Sequence, residues 1–110
     1  MLMNKKNLLL SAILGSTFII SSAGAQNAAD LYKAKCAMCH GADGTANTPA
    51  GKAMKARDFH NADVIKATDA DLIQAITNGK GKMQAYGKQF SAEEIKGLVA
   101  YVRDIQKSGK

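Results

Sequence analysis

The sequence predicts an all-α domain of four to five short helices. Three observations carry that prediction. Ile95, Leu98, Val99, Val102 and Ile105 recur at the spacing of one helical face. Two helix starts are written in capping residues, Thr68 with Asp71 three positions on and Ser91 with Glu94. No repeat, low-complexity block or convincing strand alternation interrupts these patterns.

The first 25 residues stand apart from the domain. Lys5 and Lys6 precede a 13-residue apolar run from Leu8 to Ile20, and Ala23-Gly24-Ala25 has a small-x-small pattern. This is the layout of a secretory signal peptide, residues 1–25, and it implies export to the periplasm. The run is shorter than the roughly 20 apolar residues of a membrane-spanning helix. No cysteine lies at the cleavage point to take a lipid anchor. The expected mature chain is therefore one domain, residues 26–110, with no stable membrane insertion.

Within that domain Asn27 is placed to cap a first helix, with Asp30 favourably set for the helix dipole. Leu31 and Tyr32 are its main apolar residues. From Gly41 to Gly51 the chain is rich in turn residues and contains its only proline, Pro49. A short helical turn is expected at Lys52–Arg57, with Phe59 in the core. A short helix from Asn61 to Ala67 is expected to bury Val64 and Ile65. The Thr68 helix buries Leu72, Ile73 and Ile76 and stops at Asn78-Gly79. A glycine- and lysine-rich loop, 80–88, then leads to the Ser91 helix. Gly97 inside that helix costs about 1 kcal/mol relative to alanine, which a close helix crossing would explain.

The chemistry is concentrated in Cys36-Ala37-Met38-Cys39-His40. These are the only two cysteines and one of the two histidines. If the first helix continues through them, Cys36, Cys39 and His40 fall at i, i+3 and i+4 on one face. Two thiols and an imidazole so placed form a covalent haem attachment site. Rival readings are a redox dithiol, a local disulfide, or a zinc site recruiting His60 as well. The dithiol reading lacks the preceding strand of a thioredoxin-like unit. The zinc reading needs every cysteine and histidine in the chain, with His40 awkwardly adjacent to Cys39.

Composition argues separately for a large cofactor. From Gln26 to Lys110 only 13 of 85 residues are Leu, Ile, Val or Phe, and there is no Trp. A domain that small and that sparse is marginal alone, yet its helix signals are clear. An apolar porphyrin at the centre resolves the conflict. The formal charge is +6, two units of which are Lys5 and Lys6. That is too mild, and too poor in aromatic-basic motifs, for a nucleic-acid binder.

Haem iron has a second axial position, for which Met38, Met54, Met83 and His60 are the candidates. Met38 lies between the attachment cysteines, and Met54 lies 14 residues past His40 in a segment suited to lining the haem. Met83 sits mid-loop between two helices and is best placed to wrap onto the far face. His60 precedes a helix and reads as a surface residue. A loop carbonyl near Pro49 is a candidate acceptor for His40 Nδ1–H, the alternative being that Pro49 only stiffens the loop.

Taken in order, these features resemble the small class I c-type cytochromes of bacteria. The similarity spans nearly all of the region after residue 25. It implies a cytochrome c fold wrapped around one covalently bound haem c, with thioethers at Cys36 and Cys39 and axial ligands His40 and Met83. It implies that Ala28 and Tyr32 meet Gly97, Leu98 and Tyr101. Many members carry proline directly after the ligand methionine, where this chain has Gln84. The implied function is non-enzymatic: a soluble, monomeric one-electron carrier between periplasmic redox partners. Lys80, Lys82 and Lys88 either steer onto acidic patches of those partners or only keep a solvated loop soluble. The alternatives are a haem enzyme or gas sensor with a dissociable Met83, or a haem subunit of a larger oxidoreductase.

Overall fold

The computed structural model describes Gly15 and residues 23–109, so the expected signal peptide falls outside the described residues except at Gly15 and its last three positions. The helices are α1 (Ala23–Lys35), α2 (Ala37–His40), α3 (Pro49–Met54), α4 (Ala62–Lys66), α5 (Asp69–Asn78) and α6 (Ala92–Ser108). Among the described residues there is no strand, only an isolated bridge between Lys80 and Met83. The all-α expectation holds. Among the described residues the count is six, because the first helix is split at Cys36.

The longest element, α6, forms for the reasons its sequence gives. Ser91 Oγ accepts from Glu94 N–H at 3.1 Å, and Glu94 Oε1 accepts from Ser91 N–H at 2.8 Å. Two of the orphan donors of the first turn are thereby satisfied. Its predicted stripe is buried in full: Ile95, Leu98, Val99, Val102 and Ile105, with Leu98 only 1% exposed. Helix α1 packs along α6 and buries Ala28 and Tyr32. The Tyr32 ring lies 5.0 Å from that of Tyr101. α1 begins at Ala23, so Asn27 falls inside the helix and not at its start.

α5 starts in a second capping box, with Thr68 Oγ1 accepting from Asp71 N–H at 3.0 Å. Leu72, Ile73 and Ile76 lie against the main core, half-buried. Arg103 ties α4 and α5 to α6. Its guanidinium reaches the Ala67 carbonyl and, through Nε, Asp69 at 2.9 Å. It thereby serves carbonyls that α4 leaves unpaired at its end.

Two local expectations need correction. The turn placed at Lys52–Arg57 forms instead at Pro49–Met54. Thr48 accepts from Gly51 N–H and Pro49 occupies the first turn, a combination that favours initiation there. Lys55 then turns left-handed at φ 56° and ends the helix before Arg57. On α4 only Val64 turns inward, and Ile65 is half exposed on the next face. The core also holds Tyr86 and Phe90, stacked at 5.1 Å and 4°, which the helical periodicity could not find because they lie between helices.

Candidate haem-binding site

The break at Cys36 sets up the site. Its backbone (φ −115°, ψ −35°) interrupts the helix, and the next turn closes back on it. Cys39 N–H donates to the Cys36 carbonyl at 3.2 Å, and His40 N–H donates to the same oxygen at 2.9 Å. Cys36, Cys39 and His40 therefore share one helical turn, although not by continuing α1 as the sequence suggests. Both thiols are free and half-buried, and Cys36 packs against the core. Burial, and then the neighbouring Cys39, push the Cys36 thiol up to about 11. A redox dithiol needs a lowered pKa, so this shift runs against that reading. Among the described residues no three His, Cys, Asp or Glu side chains gather as a metal-ligating group. The zinc reading needs His60, whose ring is engaged by Asp58 and faces the Ile105 carbonyl.

His40 is held from two sides. Its Nδ1 lies 2.9 Å from the Arg57 carbonyl, which can only accept, so Nδ1 carries the proton and Nε2 presents its lone pair. The ring stacks on Phe59 at 4.5 Å and 26°. Burial lowers the His40 pKa, and the bond to Arg57 opposes this without reversing it. The imidazole is thus neutral, oriented and ready to ligate. The acceptor is Arg57 and not a carbonyl near Pro49; the Thr48 carbonyl takes Lys52 N–H at 2.9 Å, in the first turn of α3. Thr48 Oγ1 donates to the Cys39 carbonyl at 2.8 Å. Gly51 is required beneath it, since a Cβ there would collide with the Cys39 and Ala46 carbonyls.

Tyr32 closes the near side. Its hydroxyl donates to the Gly41 carbonyl at 2.6 Å, tying α1 to the residue after His40. Burial, with smaller contributions from Cys36, Tyr101 and Asp43, raises its pKa, so it stays protonated and keeps donating.

The candidates for a second ligand occupy different environments. Met38 is 73% exposed and Met54 44% exposed. His60 is not the free surface residue expected. Asp58 Oδ1 accepts from its backbone N–H at 2.8 Å and its Nδ1 at 2.9 Å, and its Nε2 faces the Ile105 carbonyl at 3.4 Å. Met83 is half-buried against the same core cluster as Cys36 and Ala37. Its backbone is pinned by paired bonds with Lys80, at 2.9 and 3.1 Å. Gly79, at φ +81°, lets the loop double back; a Cβ there would sit 2.7 Å from the Met83 carbonyl. Lys80, Lys82 and Lys88 around it are exposed.

Two thiols on one turn, a neutral imidazole with its free nitrogen presented, and a half-buried thioether near the same core form a donor set that fits haem. Comparison with known proteins agrees. Residues 23–102 match the family model described as cytochrome c oxidase, cbb3-type, subunit III. The chain is 35% identical over 82 residues to cytochrome c6 of Aphanizomenon flos-aquae, covering 74% of this chain and 90% of that one. It is also 35% identical to the cbb3-type cytochrome c oxidase subunit FixP of Azorhizobium caulinodans, of which it covers 27%. The solved structure of the c-type cytochrome KustC0563 superposes with a TM-score of 0.65 at 33% identity, covering 72% of this chain and 96% of that one. The chain belongs to the family of small class I c-type cytochromes, electron-transfer proteins with a covalently bound haem c.

Proposed function

We propose that this protein is a soluble one-electron carrier of the periplasm, exported by residues 1–25 and working as residues 26–110. Cys36 and Cys39 would hold the haem as thioethers, and His40 and Met83 would ligate its iron. When bound, haem supplies a one-electron Fe(III)/Fe(II) couple. With both His40 and Met83 ligating, no position would stay open to a substrate, and the same ligands would serve both oxidation states. The Met83 thioether, soft and neutral, favours the reduced state relative to a second imidazole. The Arg57 carbonyl fixes the His40 ring and raises its basicity. Exposed Lys80, Lys82 and Lys88 offer a positive rim to acidic partners.

The observation that carries this reading is the His40 Nδ1–H donated to Arg57, on the same turn as both thiols. A second reading, a haem domain within a larger oxidoreductase, is favoured by the similarity to FixP. Coverage of 90% of a cytochrome c6 against 27% of FixP supports the free carrier over it. One preparation tests both. The exported protein should give a c-type pyridine haemochrome and elute alone on size exclusion. Cys36→Ala/Cys39→Ala should lose its haem to acid–acetone. Haem retained by the double variant would exclude the attachment site, and co-elution with oxidase subunits would favour the second reading.

A further inference from the structure

The chain after Met83 reads Gln84-Ala85-Tyr86, and both polar side chains are engaged. Gln84 Nε2 donates to the Tyr86 hydroxyl at 2.9 Å, and that hydroxyl donates to the Lys35 carbonyl at 3.3 Å. The break at Cys36 makes the last bond available. In a continuing α-helix the Lys35 carbonyl would take Cys39 N–H, but that group turns to Cys36 instead. Tyr86 is a firm post for the relay. It is 7% exposed, stacks on Phe90, and its backbone N–H donates to the Ile76 carbonyl at 2.9 Å.

We propose that Gln84 and Tyr86 are positioning residues that set how readily Met83 leaves the iron. The proposal rests on the reading of Met83 as axial ligand. Met83 hangs between two restraints. On its N-terminal side the paired bonds with Lys80 fold the loop onto Gly79. On its C-terminal side the relay fastens the chain to the last carbonyl before the attachment cysteines. A methionine side chain has three rotatable bonds and little rigidity of its own. The backbone that carries it must therefore supply the constraint. Through Lys35 the ligand loop and the attachment turn are joined, so Met83 keeps its place relative to Cys36.

The relay has an order that a test can read. The Tyr86 hydroxyl has one proton, spent on Lys35, and accepts from Gln84. Tyr86→Phe removes both bonds while keeping the stacked ring. Gln84→Ala removes only the outer one. Losing one such bond corresponds to about a two- to tenfold change in an opening equilibrium. The measurement is imidazole uptake by the ferric holoprotein in stopped flow, alongside its red-edge Fe(III)–S absorption band and a thermal melt. Gln84→Ala should bind imidazole about two- to tenfold faster than the native protein. Tyr86→Phe should be at least as fast, and the double variant no faster than Tyr86→Phe. Met83→Ala, measured beside them, should lose the band. Uptake rates unchanged in both relay variants, with Met83→Ala lacking the band, would overturn the proposal and leave the ligand standing. A lowered melting temperature with unchanged rates would overturn it equally, because it assigns the relay a structural role only. A Met83→Ala spectrum identical to the native one would remove the ligand reading and the proposal together.

Discussion

His40 shows how much of its behaviour comes from residues distant in sequence. The histidine itself was legible from its place after Cys39. Its hydrogen-bond acceptor was not. Arg57 lies 17 positions away and carries no side-chain signal, because the group used is its backbone carbonyl. A carbonyl is common to every residue, so only the path of the loop selects it. Phe59, expected in the core, is also the ring on which His40 stacks. Next to it, Asp58 forms a local clasp with His60, which its sequence position suggested was a surface residue. The His60 backbone N–H is the main cause holding the Asp58 carboxyl below its usual range, with the His60 ring adding to it. A depressed carboxylate contributes stability above its unfolded pKa of about 3.9 and loses it as pH falls through the lower folded value. Asp58→Asn should therefore be less stable than the native protein near neutrality. The difference should shrink as pH falls below about 4. Urea titrations at neutral and acidic pH would read it, and a difference constant across that range would reject the clasp.

Helices with strong local signals formed where those signals said. Capping boxes at Thr68 and Ser91 fixed the starts of α5 and α6, and the stripe from Ile95 to Ile105 is the buried face. Ser91→Ala should cost about 1 kcal/mol, seen as a lower urea midpoint with an unchanged slope. No loss would mean that packing against α1 alone sets where α6 begins. The first helix was less legible. Leu31 to Lys35 continue into Cys36 with no breaker, and nothing local announces the interruption there. Tertiary bonds at that corner decide it: Thr48 on the Cys39 carbonyl, Tyr32 on the Gly41 carbonyl and Tyr86 on the Lys35 carbonyl. Tyr86 and Phe90 did offer a signal, two aromatics four apart beside Gly87, which a search for helical stripes does not weigh.

For the whole molecule, the sparse aliphatic content is answered by aromatic side chains and by the haem c that the family carries. Tyr32, Phe59, Tyr86 and Phe90 join four aliphatic residues of α6 in one core. The attachment turn and the Met83 loop border that core from different parts of the chain. No described helix is long and apolar enough to cross a membrane. The lysine rim makes a prediction at this scale. Reversing the charge of Lys80, Lys82 and Lys88 should slow association with an acidic redox partner and flatten its salt dependence. Unchanged rates at low and high salt would discard the rim as a docking surface. The central claim is that His40 and Met83 close the iron on both sides. Its most direct test is carbon monoxide titration of the reduced protein at neutral pH, with the ferric red-edge band recorded on the same sample and on Met83→Ala. The native protein should show the band and take up no carbon monoxide, and Met83→Ala should do the reverse. Ready carbon monoxide binding by the native protein would contradict it and point to an open, reactive iron.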